Sequence, residues 1–207
     1  LLRIEDNEFN DGDLGRYEVS DTTTQFYFRN NISTSRGYME VRSTVENSST
    51  YQVTIEGNQL SASNSDWDQL YLRGGNYDQE VKGSFLVKDN TIDKITISAE
   101  GIEQLLVQNN TITNVRNNAV QLNNSNAVVE NNTIQDNRNS GVYVYANFDH
   151  QAVTDTIRNN TIVSNNTNNN SYYAGVTVEY YANPVIWYND IYDNNYYDIR
   201  NNSQYND

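Results

Sequence analysis

Apolar and polar positions alternate along this chain in short bursts, and each burst ends in the same hexad: apolar, polar, Asn/Asp/Gly, Asn, any residue, apolar. Val87-Lys88-Asp89-Asn90-Thr91-Ile92, Val107-Gln108-Asn109-Asn110-Thr111-Ile112, Val129-Glu130-Asn131-Asn132-Thr133-Ile134 and Ile157-Arg158-Asn159-Asn160-Thr161-Ile162 carry it in full. Weaker copies begin at Ile4 and Ile55, and two more, at Phe28 and Trp187, fit with one residue deleted. Successive copies start 20 to 32 residues apart, a period that marks a repeat array. The alternating runs Ala119-Val120-Gln121-Leu122, Gly141-Val142-Tyr143-Val144 and Gly175-Val176-Thr177-Val178 have the β-branched, period-2 character of strands. No window holds a 3.6-residue apolar period. Each repeat therefore reads as short strand, Asn corner, short strand, loop.

The Asn-Asn pairs suit the corner because Asn tolerates the left-handed backbone conformation that a sharp bend requires. Stacking equivalent corners aligns Asn90, Asn110, Asn132 and Asn160, whose amides then hydrogen-bond from coil to coil as an Asn ladder. The flanking apolar positions point inward and stack as columns. The predicted fold is all-β: one single-stranded solenoid domain over residues 1–207 with about eight coils. At a rung spacing of about 4.8 Å this is a rod of about 38 Å.

The Asn-Asn-Thr-Ile repeats and Gly-Val-x-Val strands resemble the right-handed parallel β-helix repeat family, relatives of the pectate-lyase architecture. The resemblance is specific over residues 87–200 and looser over 4–86. It implies the right-handed parallel β-helix fold, an extracellular or cell-surface location and dealings with polysaccharide. The family includes lyases, hydrolases, epimerases, adhesins and structural modules, so the fold leaves the function open.

Composition trims the choices. Hydrophobic residues make up 36% of the chain, which fits a narrow core under a large surface. The 27 acids against 13 bases, a net charge of −14, provide no basic stripe for nucleic acid. No run approaches the roughly 20 apolar residues of a membrane-spanning helix. There is no cysteine, so hydrogen bonding between coils has to supply the rigidity of a disulfide framework. The chain opens on Leu1-Leu2-Arg3-Ile4, and both a processed mature form and a piece of a longer precursor are expected alternatives.

Candidate chemistry is sparse. Asp6, Glu8, Asn10, Asp11 and Asp13 alternate like a calcium loop, although Gly12 falls one place late for the EF-hand pattern; calcium is the one cofactor this suggests. Asp6 and Asn7 are equally explained as a repeat corner. Trp67, in Asp66-Trp67-Asp68, is a candidate for stacking on sugar or for covering core. The stretch 171–205 holds nine of the 17 tyrosines, and Tyr172, Tyr173, Tyr180 and Tyr181 are its candidate carbohydrate or partner contacts. Coils lengthen at 135–156 and 163–183, insertions that solenoids tend to gather on one face. Of nine Asn-x-Ser/Thr sequons, Asn165 and Asn169 are the expected acceptors of sugar.

The signature elements of polygalacturonases and pectate lyases are absent. Tyr145-Ala146-Asn147-Phe148-Asp149-His150 contains the single His and faintly resembles the Tyr-Gly-Phe-Asp-Pro-His element of mannuronan C5-epimerases and related alginate lyases. It departs from that element by an Ala, an inserted Asn and a missing Pro. In such an enzyme Tyr145 and His150 would exchange protons at the sugar and a carboxylate such as Asp149, or a cation, would stabilise the charge, in a groove shared with Arg116 or Arg138. The leading expectation is a non-catalytic, extracellular module, adhesive or fibre-forming. Its partners would be polysaccharide or copies of itself stacked head to tail through uncapped strand edges. The epimerase or lyase is the alternative.

Overall fold

Alternating Val, Ile, Thr and Tyr form strands of two to six residues, and in the computed structural model these strands assemble into three parallel sheets of eight. The structure describes residues 1–10, 12–20, 24–34, 36–44, 51–63, 67–74, 83–147 and 154–204, with no helix among them. Sheet I stacks Leu2–Glu5, Gln25–Arg29, Tyr51–Glu56, Gly83–Lys88, Gln104–Gln108, Ala127–Glu130, Thr156–Arg158 and Val185–Trp187. Sheet II runs from Glu8–Phe9 to Asp190–Tyr192 and sheet III from Gly15–Val19 to Ile199–Ser203. Each coil contributes one strand to each sheet in the order I, II, III, so eight coils form a parallel β-helix.

Register follows the hexad. Val107 pairs with Val87 and Val129 in sheet I, and Ile112 pairs with Ile92 and Ile134 in sheet II. These inward columns are fully buried and belong to one continuous core along the axis.

Between sheets I and II the third hexad residue turns the chain and the fourth fills the bend. Asp6, Asn30, Gly57, Asp89, Asn109, Asn131 and Asn159 have φ between 52° and 68°. Six of them are Asn or Asp, the non-Gly residues that most often adopt this conformation. The following Asn points inward. Asn110 Oδ1 accepts from the backbone N–H (3.0 Å) and Nδ2 (2.9 Å) of Asn90. Asn110 in turn donates from both nitrogens to Asn132 Oδ1, and Asn132 does the same to Asn160. The four expected rungs are present. The ladder also continues through Asn58, Asn31 and Asn7 at one end and Asn189 at the other, one Asn in every coil.

Two expectations change. The copies at Phe28 and Trp187 lack no residue. In coil 2, Phe9 pairs with Ser33 and Ser33 with Leu60, so Ser33 is the inward residue and Ile32 faces out at 41% exposure. In coil 8 the hexad starts at Ile186, which pairs with Ile157, and Tyr188 is the turning residue at φ 52°. The two lengthened stretches fall at different points of their coils: the first between Ala146 of sheet III and Thr156 of sheet I, the second between Val163 of sheet II and Val176 of sheet III.

A second ladder, which the hexad does not announce, lies between sheets II and III. Val115 N–H donates to Asn137 Oδ1 at 2.9 Å, Asn137 Nδ2 to Asn165 Oδ1 at 2.7 Å and Asn165 Nδ2 to Asn194 Oδ1 at 3.0 Å. The column ends on Asp198 Oδ1, 3.0 Å from Asn194 Nδ2. Asn165 is fully buried in it and its amide also donates to the carbonyl of Ile134. That removes Asn165 as a sugar acceptor in the folded chain, whereas Asn169 is exposed.

Candidate binding surface

The outward rows of the three sheets differ in chemistry. On sheet I the second hexad residue forms a row in which signs alternate: Glu5, Arg29, Glu56 and Lys88 are neighbours on successive coils. Arg29 lies 3.1 Å from Glu56, and Lys88 2.6 Å from Glu56. Farther along, Gln108 Nε2 donates to Glu130 at 2.9 Å and Arg158 pairs with Glu130 at 2.6 Å. Opposite charges one rung apart support the stack, so this row is structural.

Sheet III carries a row of tyrosines and carboxylates. Tyr38 donates to Glu40 at 3.1 Å and Tyr71 donates to Glu100. Burial, reinforced by Glu100, raises the Tyr71 hydroxyl well above its ordinary value. Burial followed by the Glu179 charge pushes Tyr143 up to about 12. Each carboxylate is engaged: Glu40 with Arg16 at 3.6 Å, Glu100 with Arg73 at 3.6 Å, and Glu179 with Arg200 and with Asn202 Nδ2 at 2.9 Å. The tyrosines therefore stay protonated donors on a fixed surface.

Two open clefts line the edge of this sheet where chain arrives from sheet II. The first, of about 580 Å³, is bounded by Asp13, Arg16, Arg36, Tyr38, Trp67 and Asp68. Asp68 is buried and accepts from Gly37 N–H at 3.0 Å, while Trp67 is 78% exposed. The second, of about 470 Å³, is bounded by Lys94, Asn114, Arg116, Asp136, Arg138 and Thr167. Its three cations come from three consecutive coils. Asp136 lines the same cleft and Lys94 lies 3.5 Å from Asp93, so cations outnumber carboxylates here, in contrast to the alternation on sheet I. A third depression of about 430 Å³, on the outer face of sheet I, is more apolar, with Leu86, Leu106 and Val128 on its floor.

The other residues singled out from sequence scatter. Tyr172 is exposed beneath Arg200, whose guanidinium lies 5.8 Å from its ring. Tyr173 is half-buried. Tyr180 meets Tyr145 edge to face at 5.0 Å, and Tyr181 packs on the core. Asp6 is the first corner residue, Glu8 and Asn10 are exposed, Asp13 lines the first cleft and Asp11 lies outside the described residues. Among the described residues no three Asp, Glu, His or Cys side chains come together in a metal-binding arrangement. Asp149 and His150 also lie outside the described residues. Tyr145 sits at the far end of its strand and does not line the Arg116–Arg138 cleft. Asp155 is the described carboxyl that burial pushes up, to about 7. It is buried, and its Oδ1 accepts from Ala127 N–H at 2.9 Å.

The last coil is the most aromatic. Trp187 and Tyr188 stack at 5.0 Å and are 44% and 78% exposed. Arg158 sits 5.9 Å from the Trp187 ring, so the charged row of sheet I ends on an aromatic.

Comparison with known proteins bears on fold. The family model described as "Right handed beta helix region" matches residues 41–168, more than half of the chain. No curated protein and no solved structure matches it.

Proposed function

Because this chain belongs to the right-handed β-helix family, we propose that it is an extracellular, non-catalytic surface module that contacts polysaccharide along the outer face of sheet III. The observation that carries this reading is the meeting, on one edge, of Tyr38, Trp67 and the cationic cleft of Lys94, Arg116 and Arg138. Aromatic rings stack on the apolar faces of sugars while their hydroxyls hydrogen-bond. Guanidinium groups bind carboxylate or sulfate in a two-pronged geometry, so the favoured glycan is anionic. The carboxylates of this face are held by Arg and Asn, which suits a fixed contact surface rather than proton transfer.

A glycan array that includes uronic-acid, sulfated and neutral polysaccharides tests the reading. An anionic glycan should bind, and the double variant R116S/R138S should weaken binding at least about tenfold, a loss of about 1.4 kcal/mol. Binding should also fall as salt rises. No binding across the array, or binding indifferent to the double variant, rejects it.

A further inference from the structure

We propose that the outer face of sheet I docks on the same face of a second copy, in a two-fold dimer centred on coil 5. This is independent of the polysaccharide reading, which uses sheet III. Strand alternation gives the face three outward columns that run along the rod. The middle column is apolar at its centre: Leu86, Leu106 and Val128 follow one another on coils 4, 5 and 6 and floor the open depression. All three are half-buried, which leaves aliphatic surface in water on the lone molecule. On one flank stands the charged row, Glu56, Lys88, Gln108, Glu130 and Arg158 on coils 3 to 7. On the other stand the uncharged Gln52, Ser84 and Gln104.

The order of charge along the row selects the occupant. From coil 3 to coil 7 the signs run negative, positive, neutral, negative, positive; read backwards, every charge is replaced by its opposite. A two-fold axis parallel to the strands and passing over coil 5 sets the row against its own reverse. Glu56 then faces the partner's Arg158, Lys88 faces the partner's Glu130, and Gln108 meets the partner's Gln108 on the axis. The same operation lays Leu86 on the partner's Val128, and sets Leu106 and Gln104 each on its own copy. The neutral residue of the charged row and the middle residue of the apolar column fall on one coil, so a single axis serves both. A two-fold along the rod would instead set the charged row against the amide flank, and its charges would gain nothing across the contact. Pairs within each row persist, Lys88 with Glu56 and Arg158 with Glu130, both at 2.6 Å. Each carboxylate gains a second cation, and matched opposite charges fix the register.

Five rungs at about 4.8 Å and strands of about 17 Å make a face of about 24 by 17 Å. That is the small, transient class of interface, and a net charge of −14 on each copy opposes it at low salt. Among the described residues lining the depression the one charge is Glu103, exposed on coil 5, where it faces its own copy at the rim.

Sedimentation velocity over a concentration series, at about 0.15 M salt, should show a wild-type monomer–dimer equilibrium. Gln108→Arg and Gln108→Glu each set like charges together on the axis, so each variant alone should dimerise at least about tenfold more weakly. Their one-to-one mixture sets Arg against Glu and should dimerise at least as tightly as wild type. Glu103→Gln should tighten the dimer by about two- to fivefold. The chain has no cysteine, so Gln108→Cys adds a single thiol. It should crosslink to its copy through a bismaleimide about 10 Å long, the spacing of packed sheets, whereas Arg158→Cys, four rungs or about 19 Å from its copy, should not. A wild type that stays monomeric up to millimolar concentration overturns the proposal. So does a mixture of the two charged variants no tighter than either alone, or a Gln108→Cys protein that fails to crosslink. Far-UV circular dichroism establishes that each variant folds. Glycan binding by the monomeric Gln108→Arg protein scores the polysaccharide reading separately.

Discussion

The corner between sheets I and II and the corner between sheets II and III solve one problem in two ways. At the first, every coil carries an inward Asn after a left-handed residue. At the second, coils 4 and 5 use Ile95 and Val115, both buried, while coils 6, 7 and 8 use Asn137, Asn165 and Asn194. Both corners turn on a left-handed residue: Lys94, Asn114, Asp136, Ser164 and Asp193, which precede the inward residues of the second, have φ between 54° and 66°. In coil 4 the two bends are equally short, residues 89–90 between Lys88 and Thr91 and residues 94–95 between Asp93 and Thr96, yet one holds an inward Asn and the other an Ile. Tightness alone therefore does not dictate the amide. What the amide adds is an acceptor for the N–H of the preceding coil, as Asn137, Asn165 and Asn194 provide for Val115, Asn137 and Asn165; an aliphatic residue only fills the space.

Breaking the first corner should cost most. Asn132→Ala strips the acceptor from the N–H and Nδ2 of Asn110 and one of the two donors from Asn160 Oδ1, all buried; the backbone N–H of residue 132 remains. A loss of about 3–5 kcal/mol is expected in urea unfolding. A loss below about 1 kcal/mol would mean that water or a backbone shift replaces the amide, and the contrast between corners would fall.

The third corner, where sheet III returns to sheet I, places a carboxyl in a comparable role: Asp155 Oδ1 accepts the N–H of Ala127. Burial raises its pKa from 3.8 to about 7, so the folded state holds the proton more tightly than the unfolded chain. Stability from this group is present below about pH 4 and is lost as pH climbs towards 7, by on the order of 2–4 kcal/mol. Asp155→Asn keeps an acceptor for Ala127 and should flatten that part of the profile. Thermal melts of both proteins between pH 4 and 8 check it, and a persisting slope in the variant would assign the effect to another group.

At the second corner Asn137→Val copies what coil 5 already has. It orphans Val115 N–H yet fills the space, so the expected loss is about 1–2 kcal/mol, well below that of Asn132→Ala. Equal losses at the two sites would mean that the aliphatic and amide solutions are not interchangeable there.

What could be read ahead of the structure follows the same physics. The first corner was legible because a left-handed bend and a sealed amide allow few residue types, and Asn90, Asn110, Asn132 and Asn160 repeat in plain view. Asn137, Asn165 and Asn194 also recur, each five residues past Asn132, Asn160 and Asn189, but Val115 and Ile95 interrupt the series and hide it. Ile32 and Ser33 misled because an apolar residue there faces out and a Ser faces in; sheet pairing overrode residue type. Lys94, Arg116 and Arg138 carried no shared motif. They meet because each sits near the same bend of consecutive coils, a coincidence of path that becomes legible once the rungs are aligned.

Tyr188 makes the finest comparison, since it occupies the one first-corner position that does not hold Asn, Asp or Gly. At φ 52° and 78% exposure it accepts the left-handed conformation without burying its ring, a cost of roughly 1–2 kcal/mol for an ordinary side chain. The Trp187 stack at 5.0 Å returns part of that, about 0.5 kcal/mol at an exposed site. Tyr188→Asn should therefore raise stability by roughly 0.5–1 kcal/mol, and Asn131→Tyr, the reverse change at the matching corner of coil 6, should lower it by a similar amount. Paired urea titrations measure both. If Tyr188→Asn destabilises the protein, the aromatic pair outweighs the backbone at that corner, and bend geometry alone does not set the residue there.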